Sequence, residues 1–309
     1  MAETVVSVKN LGKRYDGVAA VDDVSFDVQR KEIFAILGPN SAGKTTTIEI
    51  LECIRQPTSG SVKVLGNSVA THNEANEIKK KIGVLPQKFS ALGRLTVAEN
   101  LEFFAAMYGT SVDMTSLLDY LEIRDKAKVR FSNLSAGLRQ RVGIAIATVN
   151  DPELVLFDEP TTGLDPESRE ATWKVIEDLR TKGKTVILAT NNIVEAQRLA
   201  DRVGILYRGK IMALDTPAEL LSKFGGGRAV IFRNGGDAAF GTLRRFFDTV
   251  SMDGSDVVVP FDRLRDLEVA LTALVGRGLE AEVLLRSPTM EDVFLKLTGM
   301  KMSDTGEAN

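Results

Sequence analysis

Apolar positions along the chain keep two rhythms. In Thr4-Val5-Val6-Ser7-Val8 and Val24-Ser25-Phe26-Asp27-Val28 they alternate with polar ones, the period of a strand buried on one face. These runs predict a small antiparallel sheet, joined by Ser61-Val62-Lys63-Val64 after the turn Pro57-Thr58-Ser59-Gly60. Four other runs are apolar almost throughout: Ile33-Phe34-Ala35-Ile36-Leu37, Ile82-Gly83-Val84-Leu85, Leu154-Val155-Leu156-Phe157 and Thr185-Val186-Ile187-Leu188-Ala189. They predict buried strands of an open α/β core. A hairpin is expected from Val203 to Leu214, turning at Arg208-Gly209.

Helical spacing fills the gaps. A helix is expected over 46–51, and a short one over 75–81 ends in Lys79-Lys80-Lys81, a solvated basic end facing the negative pole of its dipole. Thr96-x-x-Glu99 predicts a capping box. Leu138, Val142, Ala145, Ile146 and Val149 recur at helical spacing until Asp151-Pro152 stops them. A helical insert is therefore expected over about 88–150. Asp165-Pro166 caps a helix to about Lys182, and Thr216-Pro217-Ala218-Glu219 opens one that Gly225-Gly226-Gly227 ends. The triple glycine marks the expected boundary between a domain of 1–224 and an α/β appendage of 228–300. In the appendage Ala229–Phe232, Asp256–Val259 and Ala281–Leu285 read as strands, the last helix opens at Ser287-Pro288, and 301–309 is a frayed tail.

Composition changes this picture little. Of 309 residues 44% are apolar and 26% charged, enough for packed cores in about two domains. A net charge of −3 argues against a nucleic-acid face as the main business. No run reaches the ~18 apolar residues of a membrane span, and no signal peptide is expected. Cys53 and His72 are the only cysteine and histidine; no internal disulfide and no zinc site are expected. Cys53 reads as a small buried apolar residue and His72 as solvated.

Chemistry enters at Gly38-Pro39-Asn40-Ser41-Ala42-Gly43-Lys44-Thr45, which fits G-x-x-x-x-G-K-[ST] between a buried strand and a helix opening near Thr46. Backbone N–H groups and a helix dipole meet there, so a di- or triphosphate is bound without reading a base. Lys44 reaches the terminal phosphates and the Thr45 hydroxyl takes a place on Mg²⁺. Asp158-Glu159 follows a strand whose carboxyl end lies at the same edge. Asp158 is placed to hold Mg²⁺ through its water shell, and Glu159 to orient or deprotonate the attacking water.

Leu134-Ser135-Ala136-Gly137-Leu138-Arg139-Gln140-Arg141 resembles the LSGGQ-x-Q-R signature of ATP-binding-cassette (ABC) ATPases. The resemblance runs in order from Tyr15 through the phosphate loop, Gln87, the signature and Asp158-Glu159 to Gly163-Leu164-Asp165. It implies an ABC cassette: a mixed-sheet core with an antiparallel β subdomain and a helical subdomain. It implies Tyr15 stacked on adenine, Gln87 sensing Mg²⁺ and the γ-phosphate, and Ser135, Ala136 and Gly137 on the triphosphate of a second subunit, with Asp165 at the interface. Residues 228–300, ending Ser287-Pro288-Thr289-Met290-Glu291-Asp292-Val293-Phe294, resemble the appendage of ABC-2-type exporter ATPases. The implied protein is cytoplasmic and peripheral on the inner membrane face. It pairs with a second ATPase subunit, identical or related, and drives a separate multi-span permease that docks around Phe89 to Phe104. Alternatives are an ATP-binding regulatory module and a soluble, non-transport ABC ATPase.

Two positions depart from the family pattern. Asn191 stands where a histidine is usual, and an amide donates a hydrogen bond but carries no charge. Ala136 adds a methyl where the family has glycine, and Leu138 replaces glutamine. Slow but real hydrolysis is expected, because Glu159 is kept.

Overall fold

The alternating stretches fold as two long antiparallel strands, β1 (Thr4–Tyr15) and β2 (Val18–Gln29), which run well past the runs that announced them. The computed structural model describes residues 3–300 except Val112, Asp262 and Glu280; the expected tail, 301–309, lies outside them. β3 (Ile33–Leu37) is buried along its length and feeds α1 (Lys44–Leu51). β4 (Ser59–Val64) and the short β5 (Asn67–Ser68) complete a four-stranded antiparallel sheet in the order β2-β1-β4-β5. Next come α2 (His72–Lys81), three residues longer than its apolar spacing predicts, and β6 (Ile82–Leu85).

The helical insert contains α3 (Val97–Tyr108), α4 (Met114–Tyr120) and α5 (Ala136–Thr148). Thr96 and Glu99 cap α3 reciprocally, so the box legible in the sequence fixes where that helix starts. The chain then returns to the core through β7 (Leu154–Asp158), α6 (Pro166–Thr181), β8 (Thr185–Thr190), α7 (Ile193–Leu199), β9 (Arg202–Tyr207) and β10 (Lys210–Asp215). Its sheet runs β10-β9-β3-β8-β7-β6, parallel except for β10 at one edge.

Register in that sheet decides where chemistry happens. Leu37 is level with Thr190, Ala189 with Asp158, and Phe157 with Leu85. The segments that follow these ends carry Gly38, Asn191, Glu159 and Gln87, so all four reach the same carboxyl edge. The two sheets close on one core in which Val6, Val8, Leu11, Phe26 and Val28 meet Phe34, Ile36, Ile48 and Leu51. Phe26 and Phe34 stack with centroids 5.1 Å apart.

Residues through Pro217, with Met300, form one compact unit and Ala218–Gly299 the other. The helix α8 (Pro217–Phe224) therefore falls mostly with the second unit, ahead of the triple glycine that the sequence suggests as the divide. That unit continues as β11 (Arg228–Arg233), α9 (Gly236–Leu243), β12 (Ser251–Asp253), β13 (Asp256–Phe261), α10 (Leu264–Val275) and β14 (Glu282–Arg286). The order β12-β13-β11-β14, antiparallel throughout, is the split βαβ arrangement. Val230, Phe232, Leu243, Val257, Val259 and Leu274 build its core. The last helix, α11 (Met290–Thr298), opens after Thr289 and not at Ser287-Pro288, because Thr289 and Asp292 form its capping box. Among the described residues no helix is long and apolar enough to cross a membrane.

Candidate active site

The phosphate loop is a turn that only small residues permit. Ser41 and Gly43 have positive φ (66° and 108°), and a Cβ on Gly43 would lie 2.5 Å from the Ala20 carbonyl of β2. Ala42, buried, donates its backbone N–H to the Pro39 carbonyl, and its own carbonyl accepts from Gly209 N. With Gly43 at its N-cap, α1 starts without any side-chain cap, so its first N–H groups remain available to an anion. They open on a cleft of about 400 Å³ lined by Asn40, Ser41, Gly43, Lys44, Thr45 and Thr46 of the loop, with Ala20, Gln87 and Glu159 opposite. A cradle a side chain would fill, together with an uncapped helix start, fits a phosphate chain.

Four groups converge on one carboxylate. Glu159 lies 3.2 Å from Lys44 Nζ through Oε1; through Oε2 it accepts from Thr162 Oγ1 at 3.0 Å, Gln87 Nε2 at 3.2 Å and Asn191 Nδ2 at 3.5 Å. The last distance is at the outer limit of a hydrogen bond. Glu159 sits at φ 52°, where non-glycine residues are uncommon, and its N–H donates to Ala189 O at 2.8 Å. Lys44, 4% exposed, also donates to Gly38 O and Pro39 O at 2.8 and 3.0 Å. Burial pushes its ammonium below the usual lysine value, and the neighbouring Glu159 pulls the other way. Burial likewise raises Asp158 above the usual aspartate value, opposed by the hydrogen bond that Thr45 Oγ1 donates at 2.8 Å to Oδ2. Asp158 Oδ1 is buried without a partner. A hydroxyl and a carboxylate with one oxygen to spare are oxygen donors of the kind a hard divalent cation takes.

The remaining expected site residues lie elsewhere. Tyr15, at the end of β1, is half-buried and does not line the cleft; Lys13 Nζ and Arg55 Cζ stand 5.1 and 5.4 Å from its ring centroid. Ser135, exposed, caps α5 by accepting from Leu138 N at 3.4 Å, and Ala136 beside it is exposed too. Gly137 is buried against α6, where a Cβ would fall 2.2 Å from Ser168 Oγ. Asp165, exposed, caps α6 by accepting from Ser168 N and Oγ at 2.9 and 2.8 Å. Sequence reasoning missed Thr162, whose hydroxyl is a first partner of Glu159, and it missed Ala20, the contribution of β2 to the cleft wall. Thr162 was within reach of a reading that asked what lies three residues beyond Glu159; Ala20 gives no local signal.

Fold and site together define a nucleotide-binding cassette of the phosphate-loop class. A profile of the family described as ABC transporter matches residues 21–162. Nod factor export ATP-binding protein I of Rhizobium etli is 34% identical over 308 residues, covering 98% of this chain and 96% of that one. Daunorubicin resistance ATP-binding protein DrrA3 of Streptomyces coeruleorubidus is 35% identical over 309 residues, 97% of each chain. A dimeric ATP-binding cassette solved in a post-hydrolysis state with ADP and Pi superposes with a TM-score of 0.63 at 28% identity, covering 69% of this chain and 98% of that one. The solved ATP-binding subunit of an ABC transporter gives 0.65 at 29% identity, covering 72% and 94%. The chain belongs to the ABC transporter family, as one of its ATP-binding subunits.

Proposed function

We propose that this subunit binds and hydrolyses ATP with Mg²⁺ to drive export through a separate membrane permease. Both full-length relatives support the direction, one named for Nod factor export and the other for daunorubicin resistance. The observation that carries the reading is the convergence of Lys44, Gln87, Thr162 and Asn191 on Glu159. A base that must feel both the phosphate anion and the neighbouring segments is wired in that way.

In this reading Lys44 exchanges Glu159 for the terminal phosphates, which frees Glu159 Oε1 to accept a proton from water. Thr45, Asp158 and Gln87 hold Mg²⁺, which supplies charge neutralisation for the phosphoryl oxygens. Asn40, Ser41 and Thr46 line the phosphate chain, and Tyr15 stacks on adenine. Ser135, Ala136 and Gly137 serve the nucleotide of a second subunit, with Asp165 at the shared interface; that none of the four lines the chain's own cleft supports this division. Leu92, in the segment before α3, and Phe103, Met107 and Tyr108 on α3 are exposed apolar side chains. Such a patch suits docking of the permease near Phe89 to Phe104, and the protein then sits on the cytoplasmic face of the membrane.

The experiment is phosphate release by the purified chain, with its membrane partner, beside a Glu159→Gln control. Expected is turnover in the wild type, a loss of ~10²–10³-fold in Glu159→Gln, and an ATP-dependent dimer of that variant by size-exclusion chromatography. Equal turnover by both would overturn the reading. A second reading, an ATP-binding regulatory module with slow or lost hydrolysis, is favoured by the weak 3.5 Å approach of an unprotonatable Asn191. It predicts nucleotide-dependent dimerisation with no release above the control.

A further inference from the structure

One fully buried carboxylate has no part in the chemistry above. Glu195, on α7, is 0% exposed. Its Oε1 accepts from Thr161 Oγ1 at 2.7 Å and from Trp173 Nε1 at 2.8 Å, while Oε2 is buried without a partner. A half-satisfied buried carboxylate is costly. Its removal would leave the buried Thr161 hydroxyl and Trp173 N–H without their acceptor.

The three elements it joins are informative. Thr161 lies two residues beyond Glu159 and four before Asp165, in the segment that leads from the proposed base to the proposed interface. Trp173 belongs to α6, the helix that Asp165 caps. Glu195 itself lies four residues beyond Asn191, and its N–H is held by the N-cap residue Asn192 at 3.1 Å. The far end of the 161–165 segment is held by Arg169, which donates to Leu164 O at 3.3 Å and whose charge also acts on the Glu195 carboxylate. One oxygen atom therefore connects the segment carrying Asn191, the segment carrying Glu159 and the helix beneath both.

We propose that Glu195 is a positioning residue: through Thr161 and Trp173 it makes the Asn191 segment and the Glu159–Asp165 segment move as one body. A change at the nucleotide is then transmitted to Asp165, and closure at Asp165 is transmitted back to Glu159 and Asn191. This rests on the reading of Glu159 as the base. Binding of ATP to the phosphate loop does not pass through Glu195, so its loss falls on turnover and leaves affinity alone.

Four variants test it in the full chain, with the membrane partner where turnover requires one: Glu195→Leu, Glu195→Gln, Thr161→Val and Trp173→Phe. Expected for Glu195→Leu is a kcat lower by ~10-fold or more, the scale of a displaced catalytic group, with KM for ATP within about twofold of wild type. Glu195→Gln keeps an acceptor oxygen and is expected within about threefold of wild-type kcat. Thr161→Val removes one donor and is expected to cost kcat without KM. Added to Glu195→Leu it is expected to cost nothing further, as members of one unit behave. A merely structural carboxylate would lower the folded fraction and leave the kcat of the folded protein unchanged. Unchanged kcat in Glu195→Leu, a rise in KM matching the loss, or multiplying effects of Thr161→Val and Glu195→Leu would overturn the inference. Should Glu195→Leu fail to fold, Thr161→Val and Trp173→Phe decide alone, and wild-type kcat in both would sink it. Glu159→Gln in the same assay separates the failures: full turnover there removes the base, whereas an inactive Glu159→Gln beside a fully active Glu195→Leu removes only this proposal.

Discussion

At Lys44 the side chain is 4% exposed and held by Gly38 O, Pro39 O and Glu159 on its own chain. At Ser135 the hydroxyl is exposed and accepts from one backbone amide, 3.4 Å away. Both residues stand at the start of a helix, and both have the chemistry to meet a phosphate. The difference is what surrounds them. Lys44 is enclosed by its own loop and Glu159, and burial shifts both Lys44 and the neighbouring Asp158. The signature presents Ser135 and Ala136 outward on the helical insert, while Leu134 and Gly137 are buried. In the proposed function one half of the site is enclosed within the fold and the other is presented outward, as a subunit needs if its second half-site belongs to another chain.

The comparison breaks first at Lys44. On the proposed function, replacing it by alanine would remove two or three charge-assisted bonds to phosphate, each worth about 1.5–3 kcal/mol, so ATP affinity should fall by ~10²-fold or more. Nucleotide titration checks this, and an unchanged affinity would mean that the buried half is not the binding half.

Burial near the loop half also makes it sensitive to pH. Glu52, where α1 ends, is pushed up to about 7, chiefly by burial and further by the charges of Asp158 and Glu49. An acid raised in the folded state is proton-bound in both states below its unfolded value, so it then costs nothing. As pH climbs from 4.5 through about 7 the folded state loses its proton late, and stability is lost with it. A rise from 4.5 to about 7 corresponds to about 3 kcal/mol above pH 7. Glu52→Gln should therefore raise the unfolding midpoint at pH 8 and leave it unchanged near pH 4.5. Equal shifts at both pH values would refute the assignment.

What could be read from the sequence divides along the same line. Gly38 to Thr45 and Asp158-Glu159 declared themselves because strand, turn chemistry and motif agree locally, and parallel register then brought them together. The capping box at Thr96 and Glu99 was equally local. By contrast, α7 is seven residues, too short for a helical period to stand out, and Glu195 within it carries no local signal; only tertiary packing makes it fully buried. The start of α11 was drawn to Pro288 by the rule that proline opens helices, although Thr289-x-x-Asp292 spells a capping box one residue later and wins. At Gly137 the signature points to phosphate, while packing gives the glycine a second reason: there is no room for a Cβ beside Ser168.

Asn191 sharpens the comparison at a smaller scale. Its amide reaches Glu159 only at 3.5 Å and cannot take a proton. Asn191→His should raise kcat by ~10-fold, a modest share of what a transition-state donor supplies, with ATP affinity unchanged because the phosphate loop is untouched. A kcat equal to or below wild type in phosphate-release assays would show that this half has adapted around the amide.

The smallest expected effects come from two adjacent positions that the sequence treats as one motif. Gly137 is buried, and a methyl there must displace the half-buried Ser168; Gly137→Ala should cost ~1 kcal/mol of stability by overpacking. Ser168→Gly in the same chain should recover part of that loss, since it removes both Oγ and Cβ, the atoms that lie 2.2 and 2.7 Å from the added carbon. Ala136 is exposed and meets nothing comparable, so Ala136→Gly should change stability by less than ~1 kcal/mol, the helix penalty of glycine at most. If its methyl obstructs the triphosphate of a neighbouring subunit, Ala136→Gly should instead tighten ATP-dependent dimerisation in a Glu159→Gln background. Denaturant midpoints and size-exclusion profiles of the two variants separate the roles. A stability loss at Ala136 well above ~1 kcal/mol, or a dimer defect from Gly137→Ala that Ser168→Gly fully restores, would mean that both positions serve the fold of one subunit and neither faces a second.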